Sequence, residues 1–388
     1  MHIYVQLYTT IQMPLSFSLT NDLIKDLTNL DNVFANKFAD LKNASNEELE
    51  ILHKYARVSM IGSSTRIENA LLTDIEVNWL DTVLTADGKP TAFNQNRNLI
   101  ENKLSKDRER SIEEVAGCRA MIMLIYSNPL DFFPLKENDL RALHYELMSP
   151  YKQAIVYAGK YKTQSNSVIE HNNSTKESRV VFKTADPGPI TSAAMRDLIK
   201  WYNHNMPIAP WPLAVTAELV YRFLAIHPFQ DGNGRMGRAI FLMSLLHSRS
   251  NAISFVAKYI AIDRYIEKHK EEYYLVLNSC SDGVFKENPL NYKIHIFLKF
   301  MLKILNESLE GVDLYRKKFK AENALSISAH TVLNCFKENP AMRLTTAIIM
   351  QETTLPRRTV VYTLNNLLDA QLIQKYGQGP TTRYQLCF

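Results

Sequence analysis

Residues 211–226, WPLAVTAELVYRFLAI, read as an apolar helix, and the helical pattern resumes at Gly234 and runs to about His247. Across this junction lies HPFQDGNGRMGR (227–238). A connection between helices needs a glycine or an asparagine to turn the chain. It does not need a histidine, an acid, an asparagine between two glycines, and two arginines. Burying such groups between apolar helices is unfavourable unless each finds a partner. The stretch therefore asks for a helical core with a functional site at one inter-helix turn.

The rest of the chain agrees with a mostly α fold. NEELEILHKYARVSMIGSSTRIENA (46–70), with Asn46 as its cap, carries apolar residues at helical spacing. So do SIEEVAGCRAMIMLIYSN (111–128), KENDLRALHYELM (136–148) and AAMRDLIKWYN (193–203). Two regions break the pattern. Residues 155–185 hold IVYAGKYKT, a polar insert SNSVIEHNNSTKES, and RVVFKT before the turn signal DPGP, which predicts a β-hairpin. At the C-terminus, HTVLNCFKE, LTTAIIMQ and LPRRTVVYTLNNLLDA predict three helices, followed by QLIQKY, the turn GQGPT and TRYQL. Three helices closed by a hairpin is the pattern of a winged helix. The expected organisation is an N-terminal helical region (1–110), a helical core (111–310) and a winged-helix domain (325–388).

Composition narrows the class. With 46% hydrophobic and 22% charged residues, the 388-residue chain is neither disordered nor fibrous. No apolar run nears the roughly 18 residues of a membrane span. The N-terminus, MHIYVQLYTTIQMPLSFSL, lacks the basic start of a signal peptide. Cys118, Cys280, Cys335 and Cys387 show no CxxC or metal-ligand spacing, which fits reduced thiols in the cytoplasm. The net charge of +5 comes entirely from residues 311–388, with ten Lys and Arg against five Asp and Glu.

Taken in order, the residues of the 227–238 stretch suggest chemistry. His227, closing a helix, can accept a proton near neutral pH, and Phe229 should point into the core and pin the loop. Asp231 is a hard oxygen ligand suited to Mg²⁺. Gly232, Asn233 and Gly234 let successive N–H groups converge as an anion nest at a helix N-terminus. Arg235 and Arg238, three apart, present two guanidinium forks on one helix face, a geometry suited to phosphate oxygens. Together they describe a site for a nucleoside polyphosphate and a hydroxyl nucleophile.

These residues resemble the signature of the Fic (filamentation induced by cAMP) family, HxFx(D/E)GNGRxxR, and match every fixed position of it. The resemblance covers roughly residues 50–290 and implies an all-helical core with one β-hairpin flap. It implies transfer of AMP from ATP to a Ser, Thr or Tyr hydroxyl of a target protein. His227 would then be the base, and Asp231 would hold Mg²⁺ across the α- and β-phosphates. The nest and Asn233 would hold the α-phosphate, and Arg235 and Arg238 the outer ones. By the same resemblance the hairpin is the flap that registers the target, with Phe182, Lys183 and Thr184 as its contacts. Tyr273 and Tyr274 fall where members line the nucleotide pocket.

GSSTRIENA (62–70) contains Ser64, Glu68 and Asn69, matching (S/T)xxxE(G/N), a pattern any capped helix can meet. Beside the longer signature it is similar to the family's inhibitory helix, in which the glutamate pairs with the second arginine, here Arg238. An arginine so occupied is not free for the γ-phosphate. The leading expectation is thus an autoinhibited adenylyltransferase, with self-modification and a homodimer left open and no membrane contact. One alternative is a DNA-binding regulator, with Arg357 and Arg358 on the recognition helix and Lys375 and Arg383 on the wing. Another is the same fold removing AMP or transferring a different phosphate-linked group.

Overall fold

The computed structural model describes residues 15–86, 89–104, 108–171 and 178–387. Helix α1 (Asn21–Leu41) turns Leu23, Leu27, Leu30 and Phe34 inward at helical spacing. Helix α2 (Asn46–Ile67) is capped by Ser45, whose Oγ accepts the Glu48 N–H at 3.1 Å, so the cap is one residue earlier than Asn46. Residues 58–65 of α2 are buried on all sides, so this helix is a strut of the core. Helix α3 (Asp74–Val83) opens with a reciprocal capping box between Thr73 and Glu76. The minimal strands β1 (Thr85–Ala86) and β2 (Lys89–Pro90) lead to α4 (Phe93–Lys103), α5 (Glu109–Ser127) and α6 (Glu137–Met148). Buried Asp81 accepts from Arg57 and Arg119, each at 2.7 Å, and so ties α2, α3 and α5 together.

The hairpin is present but displaced. Its strands are β3 (Ser167–His171) and β4 (Ser178–Lys183), paired antiparallel. IVYAGKYKT forms turns instead of the first strand, and β3 comes from the insert that reads as polar. Helices α7 (Pro189–Asn205) and α8 (Pro212–Ile226) each begin with proline, whose missing N–H is not needed there. All fifteen residues of α8 are buried, and α9 (Asn233–Leu246) packs against it. The chain continues through α10 (Asn251–Val256), α11 (Ile262–Lys268), α12 (Lys270–Ser279) and the 30-residue α13 (Ile294–Asn323). One continuous hydrophobic core runs from Leu23 to Tyr315, with no break near residue 110.

A second core, from Val332 to Leu386, belongs to the C-terminal unit and meets the first through Ile75. The unit holds the three expected helices, α14 (Ile327–Glu338), α15 (Thr346–Thr353) and α16 (Arg357–Asp369). The hairpin β5 (Ile373–Tyr376) and β6 (Arg383–Leu386) closes it. Leu344 adds a further short pairing to Tyr384 that the sequence pattern does not reveal. Among the described residues, no helix is long and apolar enough to cross a membrane.

Candidate active site

The end of α8 sets the site. His227 is its C-cap in a left-handed conformation (φ 54°, ψ 58°), uncommon for a residue with a side chain. The loop that follows is anchored from several sides. Phe229 is fully buried and stacks on His144, with ring centroids 3.8 Å apart. His144 accepts the Gly159 N–H at Nδ1 and so donates from Nε2 to the Asp231 carbonyl at 3.0 Å. The Asn233 side chain accepts from the Phe229 N–H and donates to its carbonyl, closing the loop on itself. The buried Asn233 amide thus braces the loop, which leaves its second side-chain N–H and its backbone N–H as the donors for a phosphate.

Lys162 carries no sequence signal, yet it is buried beside the loop. Its N–H donates to the Pro228 carbonyl at 2.8 Å. Its Nζ donates to Ile226 O, Asn166 Oδ1 and Thr184 Oγ1, all uncharged acceptors. Burial among such groups lowers the ammonium to about 8. His227 Nδ1 lies 3.3 Å from the Leu224 carbonyl and donates to it, which leaves Nε2 as the basic atom. Burial first, and then the Lys162 ammonium, lower the imidazole to about 4, so it is neutral at physiological pH.

Gly232 takes a φ of 78° that a side chain would strain. Its N–H donates to Asp231 Oδ1 at 2.6 Å. The Asp231 carboxylate is open to solvent, and no group of three or more His, Cys, Asp or Glu gathers among the described residues. A divalent ion at Asp231 would draw its other ligands from phosphate and water, the ordinary habit of Mg²⁺. Arg235 donates to Tyr151 Oη at 2.8 Å, and its buried Nε has no hydrogen-bond partner. An orphaned guanidinium N–H at a helix N-terminus fits a phosphate oxygen.

Arg238 is held through two of its three nitrogens. Its Nε donates to Ser64 Oγ at 3.0 Å, and its Nη2 donates to Ser64 O and Glu68 Oε1, each at 2.9 Å. The Glu68 contact is therefore a single hydrogen bond. The Glu68 carboxylate also lies over Gly234, where a Cβ would come within 2.3 Å of Oε1. Glu68 thus sits at the nest as well as on the arginine. Burial disfavours its charge, but Arg238 and Arg235 outweigh that and keep its carboxyl below the usual range. Asp263, which the sequence pattern does not single out, approaches Arg238 Nε at 3.5 Å and is raised to about 6 by burial. Asn69 adopts a left-handed φ of 72° and accepts from Lys270 at 3.4 Å, turning the chain after the helix.

The remaining expectations divide. Tyr273 is buried beside Arg238 and Glu68, its phenol pushed up to about 12 by burial, while Tyr274 is half-buried against it. Of the expected flap contacts, Phe182 is in the core, and Thr184 is buried, donating to Asn166 O at 2.7 Å. The Lys183 side chain is exposed, but its backbone pairs with Gly283 and Phe285. Phe182 and Thr184 are thus the inward root of the hairpin and do not offer a docking edge.

The profile of the Fic/DOC family matches residues 134–245, a span containing the whole 227–238 loop. A Fido domain-containing protein of Dictyostelium discoideum is 34% identical over 127 residues, covering 29% of this chain and 85% of that protein. A protein adenylyltransferase Fic of Culex quinquefasciatus is 26% identical over 203 residues, covering 51% of this chain but only 35% of that protein. Among solved structures, a Fic family protein of Desulfovibrio desulfuricans is similar with a TM-score of 0.52 and 22% identity, covering 96% of this chain and 98% of that one. A Fic domain-containing signaling protein of Bacteroides thetaiotaomicron gives a TM-score of 0.52 and 22% identity, covering 74% of this chain and 98% of that one. At these identities the structural likeness is one of fold.

Proposed function

Since the chain belongs to the Fic/DOC family, we propose that it is a protein adenylyltransferase that holds itself at rest through Glu68. The observation that carries this reading is the joint placement of a neutral His227 and a nest whose Arg238 is held by Glu68 at 2.9 Å. In the active state, His227 Nε2 takes the proton of a target hydroxyl. The hydroxyl oxygen then bonds to the α-phosphorus of ATP, the bond to the β-phosphate bridging oxygen breaks, and pyrophosphate leaves. The first-turn N–H groups of α9 and the free N–H of Arg235 bind phosphate oxygens, and Arg238 binds the outermost phosphate once Glu68 withdraws. Asp231 is the residue that would hold Mg²⁺, which when bound would neutralise charge on the phosphate oxygens.

The test is incorporation of α-labelled ATP into the chain itself or into a lysate, with a Glu68→Gly chain as the released form. His227→Ala in that background should reduce incorporation by roughly 10²–10⁴-fold while nucleotide binding persists. Undiminished labelling would remove His227 from the role of base. A second reading is the reverse reaction, removal of AMP by water. Glu68 uses only Oε1 on Arg238, so Oε2 can accept from such a water. Release of AMP from a labelled protein by the unsubstituted chain, lost in Glu68→Gly, would favour it.

A further inference from the structure

We propose that residues 325–388 form a winged helix that binds duplex DNA through the exposed face of α16 and the outer face of the β5–β6 hairpin. This inference does not depend on the reaction proposed above. Its first support is topology: three helices closed by a hairpin, with an isolated antiparallel bridge from Leu344 to Tyr384. The second is the sidedness of α16. Val360, Thr363, Leu364 and Leu367 face the core, while Arg357, Arg358, Val361, Tyr362 and Asn365 are exposed. Tyr362 is 66% exposed, so no neighbouring element covers this face.

The third support is charge. Residues 325–388 contain six Lys and Arg against three Asp and Glu. The Lys337–Glu322 pair is the one ion pair of this unit among the described residues. Of the three acids, all exposed, Glu352 is bound to Asn339 and Cys335, and Glu338 and Asp369 stand at the C-terminal ends of α14 and α16, away from the arginines that open α16. Arg343, Arg357, Arg358, Lys375 and Arg383 are all exposed and make no ion pair there. On the hairpin, Arg343 stacks 3.9 Å above the Tyr376 ring, and Tyr376 is paired in register with Arg383. Cations stand at the start of the helix and on the hairpin.

Five cations that make no ion pair, on an exposed helix face and its adjacent hairpin, match the phosphates flanking a groove. Tyr362, Val361 and Asn365 between them offer apolar and hydrogen-bonding contacts to base edges. A protein partner fits less well, because the centre of a protein interface is depleted of charge.

The experiment is anisotropy of a labelled generic DNA duplex titrated with the full chain. Five phosphate contacts predict a slope of log K against log salt near about −4.5. That corresponds to a loss of roughly 10²–10³-fold between about 50 and 200 mM salt. Arg357→Ala with Arg358→Ala should weaken binding and flatten the slope by about two units. Arg343→Ala with Arg383→Ala should act similarly. All four sites are exposed, so unchanged circular-dichroism melting separates lost contacts from lost fold. His227→Ala should bind as the unsubstituted chain does, so failure here and failure of the proposed reaction are told apart. Absence of binding near 50 mM salt, or indifference to the arginine substitutions, overturns the proposal. Equal displacement of the probe by polyglutamate or by duplex RNA also overturns it, in favour of an acidic protein or RNA.

Discussion

His227 can act as a base only while its imidazole is neutral, and its surroundings decide that. Burial lowers it most, Lys162 lowers it further, and Glu68 and Asp231 pull the other way, with the balance at about 4. Between that value and the ordinary 6.5 the unfolded chain binds a proton that the folded site does not. This group therefore takes stability away as pH falls from 6.5 through 4, and is without effect above. Replacing Lys162 by Met removes a cation, so the imidazolium becomes easier to form and the folded value rises toward 6.5. The acid limb of labelling by Glu68→Gly should then move to higher pH, while Lys162→Arg should hold it near its place. An NMR titration of the His227 ring, assigned against His227→Gln, reads the same shift without any activity. An imidazole that titrates identically in Lys162→Met would show that burial alone sets it. No local pattern points to Lys162, because two of its three acceptors, Thr184 and Ile226, reach it from distant segments and only Asn166 is near in the chain.

At the scale of elements, α2 is the part to which the proposed inhibition assigns regulation, and its end is clamped independently of Glu68. Arg66 donates to Glu267 on α11 through two nitrogens and pairs with Asp74 at 2.7 Å. Only the Glu68 carboxylate, at the helix C-cap and half-buried, is placed to leave without moving the helix. Glu68→Gly should therefore raise ATP-dependent labelling by roughly tenfold or more, the worth of one charge-assisted hydrogen bond of about 1.5 kcal/mol. Adding Arg238→Lys should cancel the gain, because Lys lacks the fork but keeps a charge beside buried Asp263. Flat labelling by folded Glu68→Gly would end the inhibitory reading. The helix is legible in the sequence from its periodicity, whereas the Glu68 contact with Arg238, far apart in the chain, is expected only through the resemblance of the two motifs, and the Ser64 contact is not expected at all. The single-bond geometry and the placement over Gly234 are not, because they follow from how α2 and α9 cross. The hairpin is legible in kind but not in register: SVIEH carries too little apolar alternation to announce a strand, whereas IVYAGKYKT carries enough to imitate one.

Across the whole molecule, α13 links two cores that meet at Ile75 and through a few polar contacts. Its Glu322 accepts from Tyr55 of α2 at 2.8 Å and from Lys337 of α14 at 2.9 Å. Ile75 is the residue of the first unit that packs into the second core. The residues assigned chemistry, from Glu68 through Tyr274, all lie in the first core, which closes at Tyr315 without help from α14 to β6. A chain ended after Ala324 keeps Glu322 for Tyr55, uncovers Ile75, and loses the contacts of Lys103, Lys318 and Glu322 with the C-terminal unit. It should fold, with a thermal midpoint lowered by no more than a few degrees, as expected for about 1–2 kcal/mol of lost burial. In the Glu68→Gly background it should keep its labelling rate within a few-fold. A folded, soluble truncation with no labelling would mean that the C-terminal unit shapes the catalytic core. Retained labelling with abolished duplex binding would assign the two activities to the two cores separately.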